Sequence, residues 1–284
     1  MSEYSILVIG DGSTGKTHYG AQLLLRLEAQ RGLARYFEPP ENIEPLQEAM
    51  NCLNRGVSAD HTVGSTTKEV VLPLEFQGSS RARVVWPDYA GERLRELVRN
   101  RHAGDSWSVR AANANAWLLL VRPSQLIESR DLLNRPVATW IKSRTDPQKS
   151  TDQRIEWMPQ ARHVELLQML LFLGKPCSTN RLAAPRLGVA LSCWDEFPER
   201  EKYKHPGDAL KTLAPLLSDF VESNWDPSAR FVVGLSATGR PLDKTRPDEE
   251  FVDTGPTAHG WVIKPNGEQT DDLTWPLVHL LNDE

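Results

Sequence analysis

Gly10-Asp11-Gly12-Ser13-Thr14-Gly15-Lys16-Thr17 puts glycines, a lysine and a hydroxyl at a spacing that can grip a polyphosphate. Glycines let successive backbone N–H groups turn inward into an anion nest, and the positive end of a following helix deepens it. The pattern Gly10-x4-Gly15-Lys16-Thr17 is complete, with an apolar strand before it and a helix after it, as phosphate-loop binding needs. Lys16 would reach the β- and γ-phosphates, and the Thr17 hydroxyl would ligate Mg²⁺. Residues 10–17 together form the expected phosphate cradle.

Four further stretches fall after it in a set order. His61-Thr62-Val63-Gly64-Ser65 lies ahead of a strand pair, Asp88-Tyr89-Ala90-Gly91 follows its second strand, and Ser192-Cys193-Trp194-Asp195 and Ser236-Ala237 each follow an apolar strand. In this order the chain resembles the GTPases of the translation-factor and Ras-like class. The resemblance implies guanine nucleotide with Mg²⁺ as ligands. Asp88 would hold Mg²⁺ through water, and the Gly91 N–H would contact the γ-phosphate. Thr62 would close the Mg²⁺ shell, with Thr66 and Thr67 as competitors for that role. Asp195 would accept from guanine N1–H and the exocyclic amine, and the Ser236-Ala237 backbone would contact the guanine oxygen. Adenine cannot supply those donors, and a carboxylate left unpaired in a closed site costs on the order of a few kcal/mol. Two positions depart from the pattern: Cys193 and Thr238 stand where lysines are usual.

Catalysis is less defined. Glu92 follows Gly91, where a water-orienting Gln is frequent in Ras-like proteins; a carboxylate there has two readings, polarising water or capping the next helix. The catalytic set is Lys16, Thr62 and Glu92, with Arg55 as an internal candidate for an arginine finger. Slow intrinsic turnover, gated by a partner, is the expectation. A binding module with little hydrolysis and a phosphate-loop ATPase remain as alternatives.

The elements must bring these pieces together. Residues 5–9, 116–121, 188–191 and 230–235 are apolar runs that read as buried strands, residues 68–76 alternate at period two, and residues 83–86 return beside them as a hairpin. Helices are expected after Lys16, around residues 44–55, over 160–173 and over 209–223. Strands alternating with helices predict an α/β fold: a mainly parallel sheet with one antiparallel edge hairpin, helices on both faces, and insertions. One domain would span residues 1–284, with 126–156 an inserted mobile segment and 251–284 a C-terminal extension packed on it.

The tail, Gly260-Trp261-Val262-Ile263-Lys264-Pro265-Asn266-Gly267 and Leu273-Thr274-Trp275-Pro276-Leu277, exceeds a minimal GTPase. With Trp86-Pro87-Asp88-Tyr89-Ala90-Gly91-Glu92 and Ser192-Cys193-Trp194-Asp195 it resembles the bacterial double-GTPase modules of conflict and phage-defence systems. That resemblance implies protein partners, a second GTPase or an effector. Trp107, Trp140 and Trp157 offer either a partner surface or core packing.

Composition narrows the class. A net charge of -5 gives no support to nucleic-acid coating, and the arginines at 93, 95, 99 and 101 are interrupted by Glu92 and Glu96, as on a solvated helix face. Cys52, Cys177 and Cys193 are far apart, which fits neither a zinc site nor a disulfide framework and suits a reducing cytoplasm. No signal peptide or membrane-spanning run is visible, so a cytoplasmic protein is expected.

Overall fold

The computed structural model describes residues 4–59, 69–76, 81–87, 105–128, 159–175 and 180–281. Its strands are β1 (Tyr4–Gly10), β2 (Ala34–Tyr36), β3 (Glu69–Phe76), β4 (Arg81–Pro87), β5 (Ala116–Val121), β6 (Arg186–Ser192), β7 (Arg230–Ser236), β8 (Trp261–Ile263) and β9 (Gln269–Thr270). They form one sheet in the order β2-β3-β4-β1-β5-β6-β7-β8-β9. The central strands β4, β1, β5, β6 and β7 are mutually parallel, with Ile6 level with Val84, Val8 with Leu118, and Val189 with Val232. Their carboxyl ends therefore share one edge, where open α/β sheets bind ligands.

The unbroken apolar runs of β1 and β5 follow from burial on both sheet faces. Ile6 and Val8 belong to one core with Leu118 and Leu120, while Leu7 and Ile9 belong to the other with Trp117 and Leu119. Helix α1 (Lys16–Glu28) and helix α2 (Glu44–Asn54) cover the first face. The helices Pro159–Gly174, Pro206–Leu213 and Pro215–Asn224 cover the second. Each Leu so buried contributes roughly 1.5–3 kcal/mol, so either face alone is a substantial source of stability.

The α/β class and its mainly parallel sheet are as the sequence implied, and β3–β4 is the expected antiparallel hairpin. The antiparallel part extends further, because β2 adds outside β3, and β8 and β9 pair antiparallel beyond β7. The single helix expected over 209–223 is two helices. Pro215 has no N–H to continue the first, and Ala214 leaves helical geometry at φ -139°, ψ 63°. Leu126, Ile127 and Glu128, assigned to an inserted segment, close the helix Pro123–Glu128, and the rest of 126–156 lies outside the described residues.

Helix α1 is also tied to the tail. Tyr19, Gln22 and Arg26 lie on one face at helical spacing. Tyr19 Oη donates to Leu273 O at 2.8 Å, Gln22 Nε2 to His259 O at 3.0 Å, and Arg26 Nη2 to Gly260 O at 3.1 Å. Arg26 also donates to the Asp271 carbonyl, which is how a guanidinium survives almost full burial.

Candidate nucleotide-binding site

The phosphate loop joins β1 to α1, and its shape explains its residues. Gly10 sits where a Cβ would lie 2.8 Å from Leu120 O and 2.9 Å from Thr14 Oγ1, so only glycine allows β1 to run this close to β5. Gly15 takes φ +77° to turn into the helix, and Ser13 also adopts a left-handed conformation at φ 61°. Thr14 Oγ1 donates to Asp11 O at 2.9 Å and closes the loop from inside. Gly12 N donates to Asp11 Oδ1 at 2.7 Å.

Lys16 curls over this loop, donating to Gly10 O at 2.8 Å and Asp11 O at 2.6 Å. Burial lowers its pKa to about 8, with the Asp11 carboxylate opposing the fall. The ammonium thus sits in a poorly solvated place, where an anion gains most from it. Asp11 is buried and ion-paired with Arg162 at 3.1 Å, which fastens the loop to the helix Pro159–Gly174. Next to Arg162, His163 is held neutral: burial pushes its pKa down to about 4, and its Nδ1 donates to Pro159 O at 2.6 Å.

At the far end of the edge, β6 delivers Ser192, Cys193, Trp194 and Asp195. Cys193 takes φ 51°, which starts the short 3-10 helix Trp194–Glu196. Trp194 is buried against Phe197, with ring centroids 5.4 Å apart in an edge-on contact, and this anchors the loop. Burial lifts the Asp195 carboxyl above the ordinary aspartate range, and a hydrogen bond from Ser236 partly opposes this. Ser236 Oγ also accepts from Gly239 N at 2.9 Å, so β7's loop and the Asp195 loop share one hydroxyl. Ala237 follows directly. Thr238, in the place of a lysine, donates to Arg240 O at 2.7 Å and braces its own turn.

The two halves of the edge are bridged from β5, by residues that sequence reasoning missed. Arg122 Nη1 donates to Ser13 O at 3.1 Å, and its Nη2 pairs with Glu196. Gln125 Nε2 donates to Gly12 O at 3.1 Å. The only signal in the sequence was position: Arg122 is the first residue after a buried parallel strand.

Thr17 opens α1 beside Lys16, and the next residue, His18, accepts from Ala59 N at 3.1 Å. Ala59 therefore lies beside the Mg²⁺-facing end expected of α1. Thr62, Thr66 and Thr67 lie outside the described residues, as do Asp88, Gly91 and Glu92, although β4 ends at Pro87, one residue before Asp88. A hydroxyl and carboxylate donor set suits a hard ion such as Mg²⁺, and Thr17 is its described member. Arg55 is turned back on its own helix, donating to Asn51 O at 3.3 Å and Cys52 Sγ at 3.3 Å. Trp107 is buried in the core under Arg110, which lies 5.6 Å from the ring centroid, so it forms no free surface; Trp140 and Trp157 are outside the described residues. No described helix is long and apolar enough to cross a membrane.

No curated protein matches the chain. Among solved structures it is similar to the bacterial selenocysteine-specific elongation factor EF-Sec, at 14% identity and TM-score 0.37, covering 84% of this chain and 26% of that one. It is similar to the GTP-bound GTPase-like domain of S. cerevisiae Ski7, at 12% and 0.40, covering 83% and 43%. It is similar too to the small GTPase Arl6 of Trypanosoma brucei with a bound nucleotide analogue, at 12% and 0.38, covering 83% and 88%. The chain thus spans about a quarter of the first protein and under half of the second. A family model described as Double-GTPase 1 matches residues 7–280, nearly the whole chain, which therefore belongs to the Double-GTPase 1 family.

Proposed function

We propose that this GTP-binding member of the Double-GTPase 1 family is a Mg²⁺-dependent molecular switch that hydrolyses GTP slowly and acts through protein partners. The observation that carries the guanine reading is the desolvated Asp195 carboxyl, fixed by Ser236 on the same sheet edge as the phosphate loop. A carboxylate placed there accepts two N–H donors from guanine and meets none of matching geometry on adenine.

Lys16 holds the β- and γ-phosphates, and the N–H groups of residues 11–16 surround them. Thr17, with Thr62 and Asp88, would hold Mg²⁺, which when bound supplies positive charge across the β- and γ-phosphates. Gly91 contacts the γ-phosphate in this reading, and Glu92 orients the attacking water. Asp195, Ser236 and Ala237 read the base. The partner is a second GTPase or an effector of the same bacterial defence system, in the cytoplasm.

The test is displacement of a fluorescent GTP analogue, with Mg²⁺ present, by GTP, GDP and ATP. GTP and GDP should displace it and ATP should not, and Asp195→Asn should weaken GTP by about a hundred-fold while leaving ATP unchanged. Equal displacement by ATP, or a silent Asp195→Asn, would return the chain to the wider phosphate-loop ATPases.

A further inference from the structure

We propose that Arg122 covers the base and ribose of the bound nucleotide, supplying the cation that position 193 lacks. The inference rests on the guanine reading above. Its starting point is the bridge: one end of the guanidinium is fastened to Ser13 O in the phosphate loop, the other to Glu196, the residue after Asp195. A nucleotide whose phosphates lie in the loop and whose base meets Asp195 must pass across this span.

In the loop after β6, Arg200 is spent on the Asp195 carbonyl, to which it donates at 2.5 Å, and position 193 itself carries no cation. Cys193 brings a thiol, and it packs so closely on the phosphate loop that a Cβ on Gly15 would lie 3.1 Å from its Sγ. Burial raises the Cys193 thiol to about 12, so it stays an uncharged apolar bead. Arg122 is the cation beside Cys193 and Glu196, and it also feels the Asp195 carboxylate.

Its bonding also leaves the right surface open. Hydrogen bonds to Ser13 and Glu196 lie in the plane of a guanidinium, so they leave its flat faces out of the bonding. Among the described residues no aromatic ring stacks on it. The side chain keeps 28% of its exposure, so it is held in place without being sealed away. A planar cation anchored at two ends, with no described aromatic ring already stacked on it, is suited to stacking on a base.

A clamp that merely stiffens the phosphate loop would use the same two bonds, and ligand choice separates the roles. Calorimetry on the full chain with Mg²⁺ compares GDP with inorganic tripolyphosphate, which has phosphates and no base. Arg122→Ala should weaken GDP about ten-fold and leave tripolyphosphate within about two-fold of wild type. Cys193→Lys added to Arg122→Ala should restore most of the GDP affinity. Arg122→Gln, which keeps a donor for Ser13 O, should reproduce the selective loss if the alanine variant folds poorly. Equal weakening of both ligands, or no weakening of GDP, would overturn the inference and leave the guanine reading intact. A wild-type protein that binds GDP no better than ADP would remove both.

Discussion

Raising the pH through Lys16's titration should weaken nucleotide binding in a calculable way. In the unliganded protein burial holds the Lys16 pKa near 8, against an ordinary lysine value of 10.5. Phosphate oxygens beside the ammonium favour its charged form, so binding raises that pKa. A group whose pKa rises on binding contributes fully below its free value and is lost as pH climbs above it. Affinity should therefore fall about two-fold at about pH 8 and about ten-fold at about pH 9, relative to neutral pH. The assay is a fluorescent-GDP titration at fixed ionic strength and Mg²⁺ from about pH 7 to about pH 9. Guanine N1–H begins to ionise at the upper end, so Lys16→Arg, which does not titrate there, supplies the base's share of the loss. The ratio of the two profiles isolates the lysine. The unliganded fold should respond in the opposite sense, because above about 8 the unfolded lysine binds more proton than the folded one, and stability then rises with pH. A ratio that stays flat up to about pH 9 would refute the placement of a desolvated ammonium against the phosphates.

Two further outcomes follow from the loop and its backing helix. Gly10→Ala sets a methyl 2.8 Å from Leu120 O and 2.9 Å from Thr14 Oγ1. Thermal denaturation should show a loss of about 1–3 kcal/mol, with nucleotide affinity falling further than stability, since Thr14 must leave Asp11. His163 has a folded pKa of about 4 against an unfolded value of 6.5, so its contribution is present above the unfolded value and disappears as pH falls toward the folded one. Across that window about 3 kcal/mol should be lost, and His163→Met should flatten the acid limb in denaturant titrations; an unchanged limb would show that another group governs it.

Much of this was legible because physics at the centre of the sheet leaves few choices. Residues 5–9 and 116–121 are apolar without interruption since both faces of β1 and β5 are covered, and such runs leave few other places in an α/β fold. The phosphate loop could be read because glycine spacing and backbone geometry are the same fact. The break at Ala214 was visible in Pro215, yet a proline suits the first turn of a helix as well as the end of one. Strand β2 has three residues and no periodicity to read. Arg122 was invisible for a different reason. Its role depends on two partners more than seventy residues away from it, Ser13 and Glu196, and no local pattern marks such a bridge.

The same contacts say which parts of the protein should respond to the nucleotide. Helix α1 begins with the phosphate-binding lysine, and its Tyr19–Gln22–Arg26 face is bonded to carbonyls of residues 256–273. Losing Arg26 alone would strand several buried carbonyls at a cost of about 2–4 kcal/mol, so this face is a poor place for a two-state element. The Ala59 N–H is different. It rests on one imidazole, His18, next to Thr17, and Ser58 N is held by Asp243 O at 2.9 Å. Just beyond lies the chain that would carry the γ-phosphate-sensing threonine. Hydrogen exchange with GDP or with a non-hydrolysable GTP analogue should therefore leave residues 19–27 and 256–273 unchanged. The difference should fall on peptides beginning near residues 60 and 88. Altered protection in 256–273 would show that the tail takes part in switching, and that its bonds to α1 report the nucleotide instead of bracing the loop against it.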